Sequence, residues 1–250
     1  MHERVYMSTH NSSSYLGFAA FYNELWSSSF AERNIQGILQ ILKTYSTGRT
    51  VLDLACGCGH MLQKLTEHGY TAYGCDNSSE MLRYASQNTT GVQLYHYAFG
   101  EEIPRTNVEI VLCLYDSINY CESKETLQQT FKGVYSALTN GGMFLFDFNT
   151  SEGHAARWKG TLSIEKDWGV CSCHFQNDAE ARTASVSITG SLPSGDTWSR
   201  FDEEHEQLSL ENSEIAPLLL NTGFSKVIEV DPDQYNLQRD VGRTWLLAIK

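Results

Sequence analysis

The 250-residue chain has no apolar run of 18 residues, so nothing in it reads as a membrane-crossing helix. Its opening, MHERVYMSTHNSSS, lacks the apolar stretch of a secretory leader. Basic side chains are scarce: 18 Lys and Arg stand against 30 Asp and Glu, a net charge of −12. Such a surface repels phosphate backbones and argues against nucleic acid as substrate. The missing apolar run and leader stretch imply a cytoplasmic protein without a membrane partner, and seven cysteines, an odd number in such a chain, argue against a disulfide framework. Cys171, Cys173 and His174 lack the second Cys pair that zinc spacing needs, so they are read as inward-facing strand residues and no metal is expected.

What is present centres on Thr50 to His60, TVLDLACGCGH. Apolar β-formers end in Asp53, small residues with Gly57 and Gly59 follow, and an amphipathic run then begins at Met61. This reads as strand, tight turn and helix start. The third glycine of a dinucleotide fingerprint is missing, since its place holds Leu62, and no Gly-Lys-Ser/Thr of a P-loop exists. An acid beside the turn suits a cation and would repel a pyrophosphate.

Tyr15, Phe18, Phe21, Tyr22, Leu25 and Trp26 recur at helical spacing, a face for core packing or for a lid. A second helix is expected through Ile35, Ile38, Leu39 and Leu42. TAYGCDNS forms a strand ending in Asp76, placed to accept from two ribose hydroxyls, and Ser78 or Ser79 then caps a helix. VQLYHYAF and VEIVLCLY are the next strands, with Asp116 and Asn119 entering the loop beyond. A helix from Thr126 to Leu138 is expected to stop at Asn140-Gly141-Gly142, before the strand GMFLFDFNT. Strands alternating with helices imply a doubly wound, mostly parallel α/β sheet. Between 151 and 210, short alternating segments broken at Asn177-Asp178, Gly190 and Pro193-Ser194-Gly195-Asp196 imply an antiparallel β-insert. Residues 1–150 and 211–250 then form the core.

TVLDLACGCGH, YGCDNSSEML, IVLCLYDSINY and GGMFLFDFNT resemble motifs of the class I S-adenosylmethionine (SAM) dependent methyltransferases. They are most similar to a small-molecule subgroup that includes the sugar-amine N-methyltransferases. FDEEHEQ, residues 201 to 207, resembles that subgroup's inserted β-segment, and GFSKVIEV and TWLLAIK its last two strands, which complete a seven-stranded Rossmann-like sheet. The resemblance implies SAM as cofactor, held by Tyr15, Tyr22, Asp53, Ala55, Gly57, Gly59, Asp76, Asn77, Met81, Ala98, Phe99 and Leu114. Here Ala98 or Phe99 stands where the family commonly has an adenine-binding acid, and Leu208-Ser209 stand where the subgroup has Arg and an aromatic residue.

Asn119, Trp198, Phe201 and His205 are expected to form the acceptor pocket of a monomer or homodimer. His205, Asp116 and Tyr22 are the candidate bases. The expected reaction is methyl transfer to a small-molecule amine. O-methylation of a hydroxyl or carboxyl compound, and non-catalytic binding of SAM or S-adenosylhomocysteine, are the alternatives.

Overall fold

The computed structural model describes residue 15 and residues 17–250; the polar segment 1–14, expected to be mobile, lies outside them. Helix α1 (Phe18–Tyr22) continues through a π-helical turn, Asn23–Ser27, into α2 (Ser28–Tyr45). The two apolar runs expected as separate helices are therefore one rod. The wider turn re-aims its apolar face. Phe18, Phe21, Leu25 and Trp26 point to one partner, whereas Phe30, Ile35, Ile38 and Leu42 point to another.

After β1 (Thr50–Leu54), the chain alternates through α3 (His60–Glu67), β2 (Thr71–Asp76) and α4 (Ser79–Asn88). Ser78 caps α4 by accepting from the Met81 N–H at 3.2 Å. There follow β3 (Gln93–His96), β4 (Val108–Cys113), a 3-10 turn (Ser117–Tyr120), α5 (Lys124–Ala137) and β5 (Leu138–Asn149). The expected helix stop at Asn140-Gly141-Gly142 is not where α5 ends. Ala137 is its last residue, and Gly141, at φ 75°, instead lets β5 turn so that its N–H reaches the Lys250 carbonyl at 3.2 Å.

A short helix, α6 (Ser151–Arg157), then leads into β6 (Gly160–Lys166), β7 (Gly169–Asp178), β8 (Thr183–Ser194) and β9 (Thr197–Leu208). These four strands form an antiparallel sheet in sequence order. Gly190 does not break a segment as expected. It lies inside β8, paired with Cys171 and Phe201, because the Phe201 ring fills the space a side chain would need. The chain closes with α7 (Asn212–Thr222), β10 (Lys226–Glu229), α8 (Pro232–Tyr235) and β11 (Arg243–Ile249).

The main sheet has seven strands in the order β10-β11-β5-β4-β1-β2-β3, with β11 antiparallel to both neighbours. Alternate residues of each buried strand serve opposite faces. Val51, Ile110, Leu112 and Leu145 pack under α2 and α3, while Leu52, Val111, Phe144 and Phe146 pack under α5 and α7. The four-stranded sheet has its own core of Cys171, Cys173, Val186 and Ile188, closed by Phe21. The Phe21 and Trp168 rings lie 4.8 Å apart. The N-terminal rod therefore belongs to both sheets: α1 seals the smaller one and α2 the larger.

No helix among the described residues is long and apolar enough to cross a membrane. A Cβ on Gly190 would lie 2.3 Å from the Phe201 ring and 2.7 Å from the Val170 carbonyl oxygen. Gly190→Ala, which reduces the entropy of the unfolded chain, should nonetheless destabilise by about 1–3 kcal/mol through overpacking. Urea unfolding checks this, and an unchanged or raised midpoint would contradict the packing described.

Candidate functional site

The turn after β1 needs left-handed backbone at Ala55 (φ 59°), Gly57 (φ 53°) and Gly59 (φ 80°). Glycine adopts this without strain, and at 59 it also makes room, since a Cβ there would sit 3.0 Å from Ala85 of α4. Asp76, at the end of β2, braces the turn. One carboxylate oxygen accepts from the Gly57 N–H at 2.8 Å and the other from the Ser78 N–H at 2.9 Å. Burial pushes its carboxyl up, and these hydrogen bonds partly offset that.

Asp53 sits deeper. It is 3% exposed, its Oδ1 has no hydrogen-bond partner, and burial together with the Asp76 charge pushes its carboxyl up to about 8. A buried carboxyl without a partner, beside a loop braced by a second carboxylate, has the chemistry to receive a cation, which would release its proton.

Between the loops after β1, β2, β3 and β4 and the strand β9 lies a cavity of about 620 Å³. Tyr15 and Tyr22 cover one side, Ala55, Gly57, Asp76, Asn77, Ser78 and Met81 form another, and Tyr97, Ala98, Phe99 and Glu101 follow. Ser117, Tyr120, Glu122 and Thr126 complete one end, and Glu204, His205 and Glu206 face them from β9. Asp53 and Leu114 border a recess of about 30 Å³ that shares Tyr22, Ala55 and Gly57 with the cavity. His205 is 4% exposed. Its Nε2 lies 3.0 Å from Glu203 Oε2, its ring stacks on Tyr15 at 4.3 Å, and the Tyr15 hydroxyl donates to Tyr120 at 2.9 Å.

Residues 51–142 match the methyltransferase domain family. The chain is 33% identical over 217 residues to the putative methyltransferase YqeM of Bacillus subtilis (strain 168), covering 84% of this chain and 86% of that protein. The chain belongs to the SAM-dependent methyltransferases. Among solved structures, the fold is similar to a SAM-dependent methyltransferase from Clostridium acetobutylicum ATCC 824, with TM-score 0.74, 23% identity and coverage of 93% of this chain and 97% of that one. It is also similar to the sugar N-methyltransferase KedS8 from Streptoalloteichus sp ATCC 53650, with TM-score 0.76, 17% identity and coverage of 100% and 99%.

The site of this methyltransferase fits a ligand carrying an adenosine and a cationic amino-acid end. Gly57 lets the backbone reach the cavity wall, Asp76 keeps acceptor capacity beyond its two backbone bonds, and Asp53 offers an unpaired oxygen. Of the residues expected at SAM, Tyr15, Tyr22, Ala55, Gly57, Asp76, Asn77, Met81, Ala98 and Phe99 line the cavity. Asp53 and Leu114 border the recess, and Gly59 lies behind the turn against α4.

Of the expected acceptor residues, His205 lines the cavity and Asn119, Trp198 and Phe201 do not. Trp198 is 55% exposed near the tip of the β8–β9 hairpin, away from the cavity. Phe201 packs under Gly17 and Gly190 and beside Phe21, so it belongs to the core of the smaller sheet. Asn119 is fully buried and donates to the carbonyls of Asn149 (2.8 Å) and Leu208 (2.6 Å), stapling β5 to β9.

Of the other candidate bases, Tyr22 lines the cavity and Asp116 lies outside its wall. Asp116 is held by Arg243 at 2.8 Å and by the Gln207 amide at 2.8 Å and does not line the cavity. Burial, with Tyr115 next, pushes the Tyr22 phenol well up, so it stays protonated. Tyr120, Ser117, Glu122 and Glu203 escaped the sequence reading. Glu203 was detectable as Glu-x-His on one strand face.

Asp76→Ala should lower SAM affinity by about 1.5–3 kcal/mol, the size of a lost charged hydrogen-bond pair. It should also lower the melting temperature without SAM, because the Gly57 and Ser78 N–H groups lose their acceptor. Calorimetry and thermal unfolding read the two effects.

For Asp53, the unfolded carboxyl titrates near 3.8 and the folded one near 8. The folded protein therefore holds a proton that the unfolded chain has lost, and its stability falls as pH rises from about 4 to 8, by up to about 1.4 kcal/mol per pH unit. Asp53→Asn should flatten that slope. SAM binding at pH 6.5 should release protons from the wild type and fewer from the Asn variant, read as buffer-dependent binding enthalpy. Equal release from both would exclude Asp53 from the cation site.

Proposed function

We propose that this methyltransferase N-methylates a small, positively charged amine. The observation that carries the reading is the charge of the cavity wall. Among its described residues are Asp76, Glu101, Glu122, Glu204 and Glu206, and no Lys or Arg. Carboxylates bordering a cavity attract a cation and repel a carboxylate or phosphate acceptor. The volume of about 620 Å³ is of small-molecule size. KedS8, similar in fold, is a sugar N-methyltransferase, which agrees with an amine acceptor.

SAM supplies an activated methyl group on a sulfonium, which leaves as a neutral thioether when a nucleophile displaces it in line. The chain's residues do the rest. Asp76 and the Gly57 turn orient the nucleoside end, Asp53 takes the ammonium, and Tyr15 and Tyr22 exclude water. An ammonium has no lone pair, so the acceptor must lose a proton first. His205, from β9, takes that proton on the ring nitrogen not bonded to Glu203, and the freed nitrogen lone pair forms the new bond to carbon. On this reading residues 1–150 and 211–250 hold SAM, and 151–210 face the acceptor with Glu204, His205 and Glu206.

A turnover panel of primary and secondary amines, hydroxyl compounds and carboxylic acids tests the proposal. Amines should be methylated, with KM rising as salt screens the acidic wall. Turnover confined to hydroxyl or carboxyl compounds would overturn it. His205→Ala should lower kcat by about 10²- to 10⁴-fold with SAM affinity little changed.

A further inference from the structure

Glu203 lies outside the cavity wall, yet its carboxylate joins the two parts of the site that the reaction needs together. We infer that Glu203 is a positioning residue: it seats the start of the N-terminal rod over the cavity and holds His205 with Nδ1 as the nitrogen left to accept a proton. The second duty rests on the reading of His205 as the proton acceptor; the first does not.

The hydrogen bonds carry the inference. Glu203 Oε1 accepts from the N–H groups of Gly17 (2.7 Å) and Phe18 (2.9 Å), and Oε2 accepts from the Tyr15 N–H (3.0 Å) and faces His205 Nε2 (3.0 Å). A carboxylate has about four lone-pair sites, and four N–H groups fill them here. The side chain is 5% exposed, so these donors take the place of water. Burial pushes the Glu203 carboxyl up, but the bonds from His205, Phe18 and Gly17 outweigh it and hold the group below the usual carboxylate range.

An ionised carboxylate has no proton to offer, so Nε2 of His205 must be the donor and Nδ1 of the neutral ring carries the lone pair. Tyr15 then closes the arrangement. Its N–H is held by Glu203, its ring stacks on His205, and its hydroxyl donates to Tyr120 across the cavity. Seating Tyr15 and fixing the His205 tautomer are thus one event, since the same oxygen takes both bonds.

Two variants test these duties in the full chain. In Glu203→Gln the carbonyl oxygen can keep the bonds to Gly17 and Phe18, but the amide NH₂ then faces the Tyr15 N–H, which loses its acceptor, and His205, where it must find an acceptor. Nε2 becomes that acceptor and the proton moves to Nδ1. Histidine-selective ¹⁵N NMR should show Nε2–H in the wild type and Nδ1–H in the Gln variant. The Gln variant should also lose about 10²- to 10⁴-fold in kcat, with a smaller loss of SAM affinity than the Ala variant because the Gly17 and Phe18 bonds remain.

Glu203→Ala removes the seat as well and should weaken SAM binding by about tenfold or more. A wild-type ring protonated on Nδ1, or a Gln variant with unchanged tautomer and kcat, would overturn the assignment of His205 to Glu203. Unchanged SAM affinity in the Ala variant would overturn the seat. The NMR and SAM readouts need no acceptor. If no amine is turned over by any form of the protein, the proposed function fails while these readouts still decide the role of Glu203.

Discussion

The geometry of the site depends on one buried cation. Arg243, in the reversed strand β11, has a side chain only 4% exposed and meets three carboxylates: Asp116 at 2.8 Å, Asp240 at 3.0 Å, and Asp147, to which it donates from a second guanidinium nitrogen. Asp147 also accepts from the N–H groups of Tyr115 (2.6 Å) and Asp116 (3.0 Å), and those residues hold left-handed backbone at φ 62° and 51°. Neither is glycine, so the conformation is strained and needs an outside constraint. Arg243 supplies it by pairing with Asp147: burial raises that carboxyl, Arg243 lowers it, and together with the neighbouring groups they leave it at about 6. A planar, permanently charged fork suits this place better than lysine would. Removing one partner from such a cluster costs about 3–5 kcal/mol, because the charges left behind stay buried.

From that loop the constraint spreads to the other sheet. Asp116 accepts from Gln207 of β9 at 2.8 Å, Gln207 Oε1 meets His154 at 2.9 Å, and His154 meets Ser209 at 2.7 Å. The strand carrying Glu203 and His205 is therefore registered against the loop carrying Ser117 and Tyr120 by buried polar contacts. The N-terminal rod fixes the third side, with Phe21 in the small core and Phe30 stacked on Tyr115 at 4.2 Å. Each wall of the cavity thus comes from a different stretch of chain and is held by contacts outside the cavity. Catalytic positioning is a property of this surrounding shell as much as of the lining residues.

Much of the fold was legible because period and punctuation report on single elements. TVLDLACGCGH, the Ser78 cap and the unbroken apolar run of β4 are local signals, and each element stands where they put it. The departures share one cause, which is that tertiary partners are invisible in a local pattern. Gly190 reads as a break until Phe201 is known to lie over it, and Asn140-Gly141-Gly142 reads as a helix stop until the bend in β5 is seen to meet Lys250. Trp198 and Phe201 were expected at the acceptor because they are aromatic and near His205 in sequence. Strand parity put Phe201 on the same face as His205, but depth along the strand decided that it fills the small core instead. The carboxylates proposed to hold the cofactor, Asp53 and Asp76, are legible at strand ends because the doubly wound topology brings those ends together.

Under the proposed function, the acidic wall sets a problem that His205 would answer. Carboxylates around a bound amine stabilise its ammonium form, so the field that gathers the acceptor also withholds its lone pair. SAM adds a positive sulfonium, which repels an ammonium placed beside it and gives the deprotonated amine the advantage at that one point. A base is therefore needed where the acceptor meets the methyl group, and it must not be one more carboxylate competing for the cation. His205 meets this requirement. It is neutral when it offers its lone pair, it sits between the rings of Tyr15 and Tyr120, and its carboxylate neighbour Glu203 is saturated by N–H donors and so presents little free charge to the acceptor. On the proposed reading, attraction at the mouth and deprotonation at the centre act on the same nitrogen in succession, without either cancelling the other.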